Sequence, residues 1–146
     1  MGRIEAICLS PEKGTVKQTV AQAEMRAEHG LVGDAHAGDW HRQVSLLPSE
    51  SIAKVRAMMP DLADGAFAEN LVTSGVDLAG VKIGDRVGIG DDILLEVTQI
   101  GKECHHGCAI RQITGDCIMP REGIFCRVLQ GGHIAPGLSA TLNPTP

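Results

Sequence analysis

The sequence predicts a mainly β domain, a closed or partly open β-barrel with one or two short helices. Three observations support this prediction: short segments alternate apolar with polar residues or are rich in β-branched residues, eighteen glycines are spread between them, and helical spacing occurs in two places. The 146 residues suffice for one domain with a buried core and are too few for two ordinary ones. We therefore expect residues 1–146 to form a single domain.

The strands are predicted from local patterns. Alternation or clustering of β-branched residues places them at residues 3–9, 44–47, 81–98 with breaks at Gly84 and Gly90, 123–129 and 138–142. Many short strands beside few helices favour a barrel over a parallel sheet with crossover helices.

Helical spacing appears twice. Ile52, Val55 and Met59 recur at helical intervals ahead of Pro60, which predicts a helix over about residues 49–58. Residues 16–29 are rich in Ala and Glu and also have apolar residues at helical intervals, so periodicity alone predicts a second helix there.

Composition excludes several classes of partner. The net charge is −5 and aromatic residues are only 2% of the chain, so the sequence lacks the basic patch and the stacking platforms of nucleic-acid binders. No apolar run reaches the roughly 20 residues that a membrane span needs, and the N-terminus has no signal-peptide core. We expect a cytoplasmic protein, whose five cysteines are then typical of reactive, metal-binding or buried thiols rather than disulfides.

The strongest site signal follows the strand predicted to end near residue 100. There Cys104 stands between Lys102 and the pair His105 and His106, whose charges would lower its pKa and favour the reactive thiolate. Three interpretations remain open: a reactive or cofactor-facing thiol, a zinc site made of a histidine with Cys104, Cys108 and Cys117, and simple burial. Burial suits Cys8 and Cys126, which lie inside strand patterns.

A second cluster lies in residues 30–43, which hold three glycines and several polar side chains. Such a loop would offer His36, His41 and Arg42 to an anionic or metal-bound ligand, whereas its aspartates are equally compatible with turn formation. Further along, Glu69 and Asn70 precede a strand and are predicted to satisfy backbone N–H groups.

Seven short motifs of the chain, taken together, resemble those of a known family. They are GLVGDAHAG (residues 30–38), HRQVSLL (41–47), ENL (69–71), IGDR (83–86), GKECH (101–105), GDCIMPREGIF (115–125) and RVL (127–129). The chain is similar to MOSC domains, named for the C-terminal domain of molybdenum cofactor sulfurases, in their small stand-alone form.

The resemblance implies a MOSC-type barrel in which the His36 loop and the Cys104 loop border one cleft. It also implies that residues 16–29 are at least partly extended, and we adopt that expectation over the helix. Cys104 occupies the place of the family's key cysteine, although Glu103 stands where the longer sulfurases have proline. That cysteine is implied to be the catalytic residue and a ligand of molybdenum. The cofactor-binding residues are expected to be His36, His41, Arg42, Lys102, Cys104, His105, Cys108 and Cys117.

The functional expectation is a protein that binds the molybdenum cofactor (molybdopterin), or carries sulfur for it as a persulfide on Cys104. Its expected partners are proteins of molybdenum cofactor biosynthesis or molybdoenzymes, with a cysteine desulfurase as sulfur donor, and neither nucleic acid nor membrane. The alternative is a non-enzymatic zinc-binding or adaptor module for a molybdenum cofactor enzyme. Molybdenum and tungsten are equally compatible with the sequence.

Overall fold

The computed structural model describes residues 2–12, 16–78, 80–101 and 123–143. Its strands are β1 (Gly2–Leu9), β2 (Gln18–Val20), β3 (Ala23–Arg26), β4 (Gly30–Leu31), β5 (Val44–Pro48), β6 (Leu71–Ser74), β7 (Arg86–Ile89), β8 (Ile93–Ile100), β9 (Ile124–Gln130), β10 (Gly132–Ile134) and β11 (Ser139–Asn143). The described residues contain one α-helix, α1 (Ser49–Arg56), which follows β5 directly. No helix among these residues is long and apolar enough to cross a membrane.

Seven strands close into a barrel in the order β1-β11-β7-β8-β9-β5-β6, and β6 pairs again with β1. The pairing of β5 with β6 is parallel, and the other six pairings in the ring are antiparallel. A parallel pair needs a crossover connection, and α1 lies in that connection. Strand β2 extends the sheet beside β1, while β10, β3 and β4 form a separate three-stranded sheet.

Alternation along the strands places one set of side chains inside the barrel. In β8, Ile93, Leu95 and Val97 are buried, and they join Val87 and Ile89 of β7 in the central apolar core. A second apolar cluster packs Ile52 and Val55 of α1 against the outer faces of β1, β5 and β6. Full burial of each such side chain contributes about 1.5–3 kcal/mol to folding.

Most of the predicted elements are confirmed. The barrel class, the helix after residue 48 and the strands at residues 3–9, 44–47, 123–129 and 138–142 all appear within one or two residues of their predicted bounds. The prediction that residues 81–83 begin a strand is wrong. The chain turns there because Gly84 adopts a φ of 97° and the Asp85 carboxylate accepts the Lys82 N–H at 2.8 Å, which leaves Ile83 exposed.

Residues 16–29 are partly extended, as the family resemblance implied and against their helical periodicity: they form β2 and β3, and the chain turns at residues 27–29. Val20 pairs with Ile7 of β1, and Met25 pairs with both Leu31 of β4 and Gly132 of β10. The apolar spacing does not mark a buried helical face, since Val16 is 55% exposed. Sheet hydrogen bonds to three neighbouring strands, β1, β4 and β10, override the helix propensity of Ala and Glu.

Candidate functional site

A cavity of about 70 Å³ opens between the loop before β5, the start of β6 and the start of β9. Among the described residues, its walls are formed by His36, Trp40, Arg42, Ser45, Ala68, Asn70 and Phe125. Two aromatic rings, one guanidinium and several hydrogen-bonding groups therefore converge on one small space. Such a mixture of apolar walls and a few polar groups is typical of a ligand site.

Arg42 is the one arginine or lysine among the described residues of the cavity wall. Its guanidinium carbon lies 4.7 Å from the centre of the Trp40 ring and 5.6 Å from that of Phe125. These contacts hold the planar group in place by cation–π attraction. The buried Nε of Arg42 has no hydrogen-bond partner among the described residues. A held cation with an unsatisfied donor suits an anionic ligand.

The side of the cavity formed by Ser45 and Asn70 is held by hydrogen bonds between strands. Asn70 accepts the Ser45 N–H at 3.0 Å through Oδ1 and donates from Nδ2 to the Cys8 carbonyl at 3.1 Å. The Asn70 N–H donates to Ser45 Oγ at 2.9 Å. These bonds join β5, β6 and β1 at one point, so the cavity floor is fixed by the barrel itself.

A buried carboxylate shapes the backbone beside Asn70. Glu69 is fully buried, and its two oxygens accept the N–H groups of Gly65 at 3.0 Å and Phe67 at 3.1 Å. Burial raises the pKa of Glu69, although these hydrogen bonds oppose the shift. The predicted role of Glu69 and Asn70 in satisfying backbone donors is confirmed. Between the turn and the strand, Ala68 is held at a φ of 63°.

A buried ion pair supports the His36 side of the cavity. The side chains of Lys17 and Asp34 are fully buried, with Nζ 2.6 Å from Oδ1. Asp34 also accepts the backbone N–H groups of Ser10 at 3.1 Å and His36 at 3.2 Å, and Lys17 Nζ lies 3.0 Å from His36 Nδ1. Asp34 is therefore the anchor of the loop rather than only a turn residue.

The rest of the loop is tied to the barrel. Trp40 donates from Nε1 to the His36 carbonyl at 2.7 Å, and the buried Gln43 accepts the Val128 N–H at 2.8 Å. His41 is exposed, and its Nε2 lies 3.0 Å from Oε1 of Gln99 on β8. These contacts join His36 to Trp40 within the loop, and they tie the loop to β8 through His41 and to β9 through Gln43.

Comparison with known proteins identifies the family. The sequence profile of the MOSC domain matches residues 33–141, which is most of the chain and includes the His36 loop and the cavity strands. The chain belongs to the MOSC domain family. This family is associated with proteins related to molybdenum cofactor sulfurases.

Individual relatives are consistent with this assignment. The MOSC domain is 31% identical to a protein named "Reductase" from Gibberella moniliformis, over 92% of its own length but only 28% of that protein. Its fold is similar to the YUAD protein from Bacillus subtilis (TM-score 0.80, 18% identity, 100% of this chain and 98% of that one). It is also similar to YiiM from Geobacillus stearothermophilus (TM-score 0.70, 22% identity, 97% of this chain and 75% of that one).

The structure brings together two of the predicted cofactor-binding residues of the MOSC domain, His36 and Arg42, in the cavity wall. His41 belongs to the same loop but faces Gln99. Lys102, Cys104, His105, Cys108 and Cys117 lie outside the described residues. The described chain on either side of them meets at the barrel end, where the Gly101 N–H donates to the Gly123 carbonyl at 2.7 Å, two residues before Phe125 of the cavity.

The two described thiols of the MOSC domain are structural. Cys8 and Cys126 are buried and free, as their strand positions predicted. Burial raises the pKa of Cys8 to about 12 and that of Cys126 higher still, so both remain protonated thiols. Among the residues of the described ranges, no three His, Cys, Asp or Glu side chains are grouped to hold a metal ion.

Sequence reasoning missed several residues of the site. Trp40 lies in the polar cluster of residues 30–43 and Ser45 in the motif HRQVSLL, but no pattern marked either of them as a cavity residue. Lys17 was missed entirely, because an isolated lysine in sequence is normally exposed. Its burial depends on Asp34, seventeen positions later, and only the folded chain brings the two together.

Proposed function

We propose that this MOSC domain binds the molybdenum cofactor, or carries a sulfur destined for it, with Cys104 as the contacting residue. The observation that supports the proposal is Arg42, whose guanidinium stacks on Trp40 and Phe125 while its buried Nε has no partner among the described residues. Leaving a buried donor unsatisfied costs about 1–3 kcal/mol. An anionic ligand in the cavity would remove this cost.

The cavity residues fit the anionic part of such a cofactor. A pterin cofactor carries a phosphate, and arginine matches phosphate oxygens with several donors at once. Arg42 and His36 would hold this part of the ligand from the loop before β5. His41, Lys102, His105, Cys108 and Cys117 remain proposed cofactor contacts. When bound, the cofactor supplies a molybdenum centre whose terminal ligands include oxygen or sulfur.

Cys104 is proposed to act as thiolate in either form of the function. As a cofactor ligand it would bind the molybdenum directly. As a sulfur carrier, the Cys104 thiolate attacks the terminal sulfur of a donor persulfide, such as that of a cysteine desulfurase. The new S–S bond forms on Cys104, the donor's S–S bond breaks, and the donor cysteine leaves as thiolate, so no external oxidant is needed. Lys102 and His105 are proposed to favour the thiolate.

Partner proteins complete this proposal. The chain spans little more than a quarter of the Gibberella moniliformis protein named "Reductase", so that protein contains much besides the matching region. This relation supports a role beside, or as one part of, a molybdoenzyme or a protein of cofactor biosynthesis.

The test is native mass spectrometry of the chain purified without oxygen, with peptide mapping of every cysteine. We expect an added sulfur on Cys104 or a bound pterin mass, and we expect Cys104→Ala to lose it. Cys8→Ala is the matched control, because Cys8 is a buried thiol of raised pKa. One tightly held zinc with unmodified cysteines, whose chelation unfolds the protein, would contradict the proposal and support the zinc module instead.

A second measurement tests the anion contact separately. Arg42→Met should weaken cofactor binding about 10–100-fold, the usual loss for a charge-assisted hydrogen bond. The control is Arg127→Met, since Arg127 on β9 pairs with Glu96 at 3.0 Å and is not among the described residues of the cavity wall. Equal affinities for the two variants would remove Arg42 from the binding site.

A further inference from the structure

Lys17 is a charged side chain that the proposed function does not use. Its side chain is fully buried, and so is that of its ion-pair partner Asp34, 2.6 Å away. Lysine is almost never buried to this degree without a specific set of partners. The ammonium has two further neighbours, Ser10 Oγ at 3.5 Å and His36 Nδ1 at 3.0 Å.

The contact with His36 fixes the hydrogen-bond roles of the ring. An ammonium group has three donors and no acceptor, so Lys17 can only donate to Nδ1. Nδ1 must then present its lone pair. In the neutral imidazole the proton is therefore on Nε2. Protonating Nδ1 would direct a second N–H at the ammonium and place two positive charges side by side.

The backbone of His36 is held independently of the ring. Its N–H donates to Asp34 Oδ2 at 3.2 Å, and its carbonyl accepts from Trp40 Nε1 at 2.7 Å. The residue is thus fixed at both peptide groups, and Lys17 determines which ring nitrogen carries the proton. Among the described residues, the charged groups beside the ring include Lys17, Asp34 and, in the cavity lining, Arg42.

We propose that Lys17 is a positioning residue that holds His36 in the neutral Nε2–H tautomer, so that the cavity wall presents an N–H donor to an anionic oxygen. A protonated Nε2 cannot ligate a metal, and Nδ1 is occupied by Lys17. His36 is therefore a hydrogen-bond donor and not a metal ligand. This inference rests on the proposed function for the ligand class and deepens it, because it names the part of the ligand that this wall accepts.

The primary test is long-range ¹H–¹⁵N NMR of the ¹⁵N-histidine-labelled full chain at neutral pH. Among six histidines, the signals that disappear in His36→Gln identify the ring. We expect an unprotonated Nδ1 and a protonated Nε2. A protonated Nδ1, or an imidazolium ion, would overturn the proposal. This readout needs neither Cys104 nor the cofactor, so failure of the proposed function does not affect it.

Variants test whether Lys17 is the cause. In Lys17→Met/Asp34→Asn, which removes both charges together, we expect His36 to become an averaged mixture of tautomers. Lys82→Met is the matched control, since Lys82 is exposed outside the cavity, and it should leave the His36 signals unchanged. An unchanged Nε2–H signal in the double variant would show that another group sets the tautomer. If the double variant does not fold, the wild-type spectrum still decides the assignment.

The ligand class is tested with inorganic phosphate as the probe. Titration should shift the His36 Nε2 resonance of the wild-type chain, and the double variant should bind phosphate about tenfold more weakly. A phosphate titration that moves exposed His133 but leaves His36 unchanged would contradict the assignment of His36 as an anion donor.

Discussion

Two buried carboxylates support the cavity from different loops, and they are stabilised in different ways. Asp34 is paired with the Lys17 ammonium, whereas Glu69 accepts two backbone N–H groups and has a pKa raised by burial. The Lys17 ammonium of the ion pair also contacts His36 in the cavity wall. The Glu69 carboxylate instead holds the turn at residues 65–67. The comparison indicates that the buried charge pair serves the ligand side of the site, while the carboxylate–amide contacts serve the scaffold.

The largest expected effect comes from breaking the charge pair. Lys17→Met leaves the Asp34 carboxylate buried without its cation, and such a break lowers the free energy of unfolding by about 3–5 kcal/mol. Urea denaturation of both proteins measures the loss. Lys17→Met/Asp34→Asn should recover a large part of it, because no uncompensated charge remains. A single variant as stable as the wild type would mean that the pair is not essential to the loop.

The next prediction concerns Gly65, whose backbone contacts both the Glu69 carboxylate and the backbone of Lys17. The Gly65 N–H donates to Glu69 and its carbonyl accepts the Lys17 N–H at 3.1 Å, while a Cβ at Gly65 would lie 2.1 Å from the Lys17 carbonyl oxygen. Gly65→Ala adds this overlap to an unfavourable φ of 92°, for a loss of about 2–5 kcal/mol.

Gly33 provides the matched control for that substitution. It has a φ of 93°, but a Cβ there would meet nothing within 4 Å. Gly33→Ala should therefore cost only the conformational strain, about 1–2 kcal/mol. Equal losses in the two alanine variants, measured by the same denaturation experiment, would contradict the predicted close approach of Gly65 to Lys17.

A smaller effect is expected on the scaffold side. Glu69→Gln replaces one carboxylate oxygen by an NH₂ group, so the N–H of Gly65 or Phe67 loses its acceptor. The expected loss is about 1–3 kcal/mol in the free energy of unfolding. Because His36 is not part of this network, its NMR tautomer signals should remain those of the wild type. A changed tautomer would show that the two networks are coupled.

The smallest effect is the pH dependence that Glu69 contributes. Its folded pKa is raised above the ordinary value of 4.5, so between these two pKa values the folded chain binds the proton more tightly than the unfolded chain. Stability from this group therefore increases as pH falls through that window and is lost as pH rises through it. Glu5 and Glu50 have lowered pKa values and act with the opposite sign. Subtracting the Glu69→Gln profile isolates Glu69, and a flat difference would refute the prediction.

Much of the fold could be predicted from local sequence patterns, but the conformation of residues 16–29 could not. Local patterns identified the strands, because alternation follows from one face being buried, and they placed Glu69 and Asn70 beside backbone donors. The periodicity of residues 16–29 was misleading, since their conformation is decided by pairing with Ile7 of β1 and Gly132 of β10. Only the family resemblance supplied the extended conformation.

Some residues of the cavity could be predicted from the sequence, and others could not. His36 and Arg42 were predicted to contact an anionic ligand because polar side chains in a glycine-rich loop suit one; the cavity wall contains both, and their binding role stays a prediction. Lys17 and Trp40 could not be identified, because nothing in their local sequence distinguishes a buried lysine or a cavity tryptophan from an ordinary one. Their roles arise from contacts between separate segments of the folded chain.

The hydrogen bond from Gly101 to Gly123 has a consequence for where Cys104 begins its reach. It continues the pairing of β8 and β9 beyond Ile100 and Ile124, so residues 101 and 123 are held together by the backbone of the barrel. Phe125 of the cavity wall lies two residues after Gly123. The barrel itself therefore brings both ends of the segment that contains Cys104 to the end of β9 at which the cavity opens.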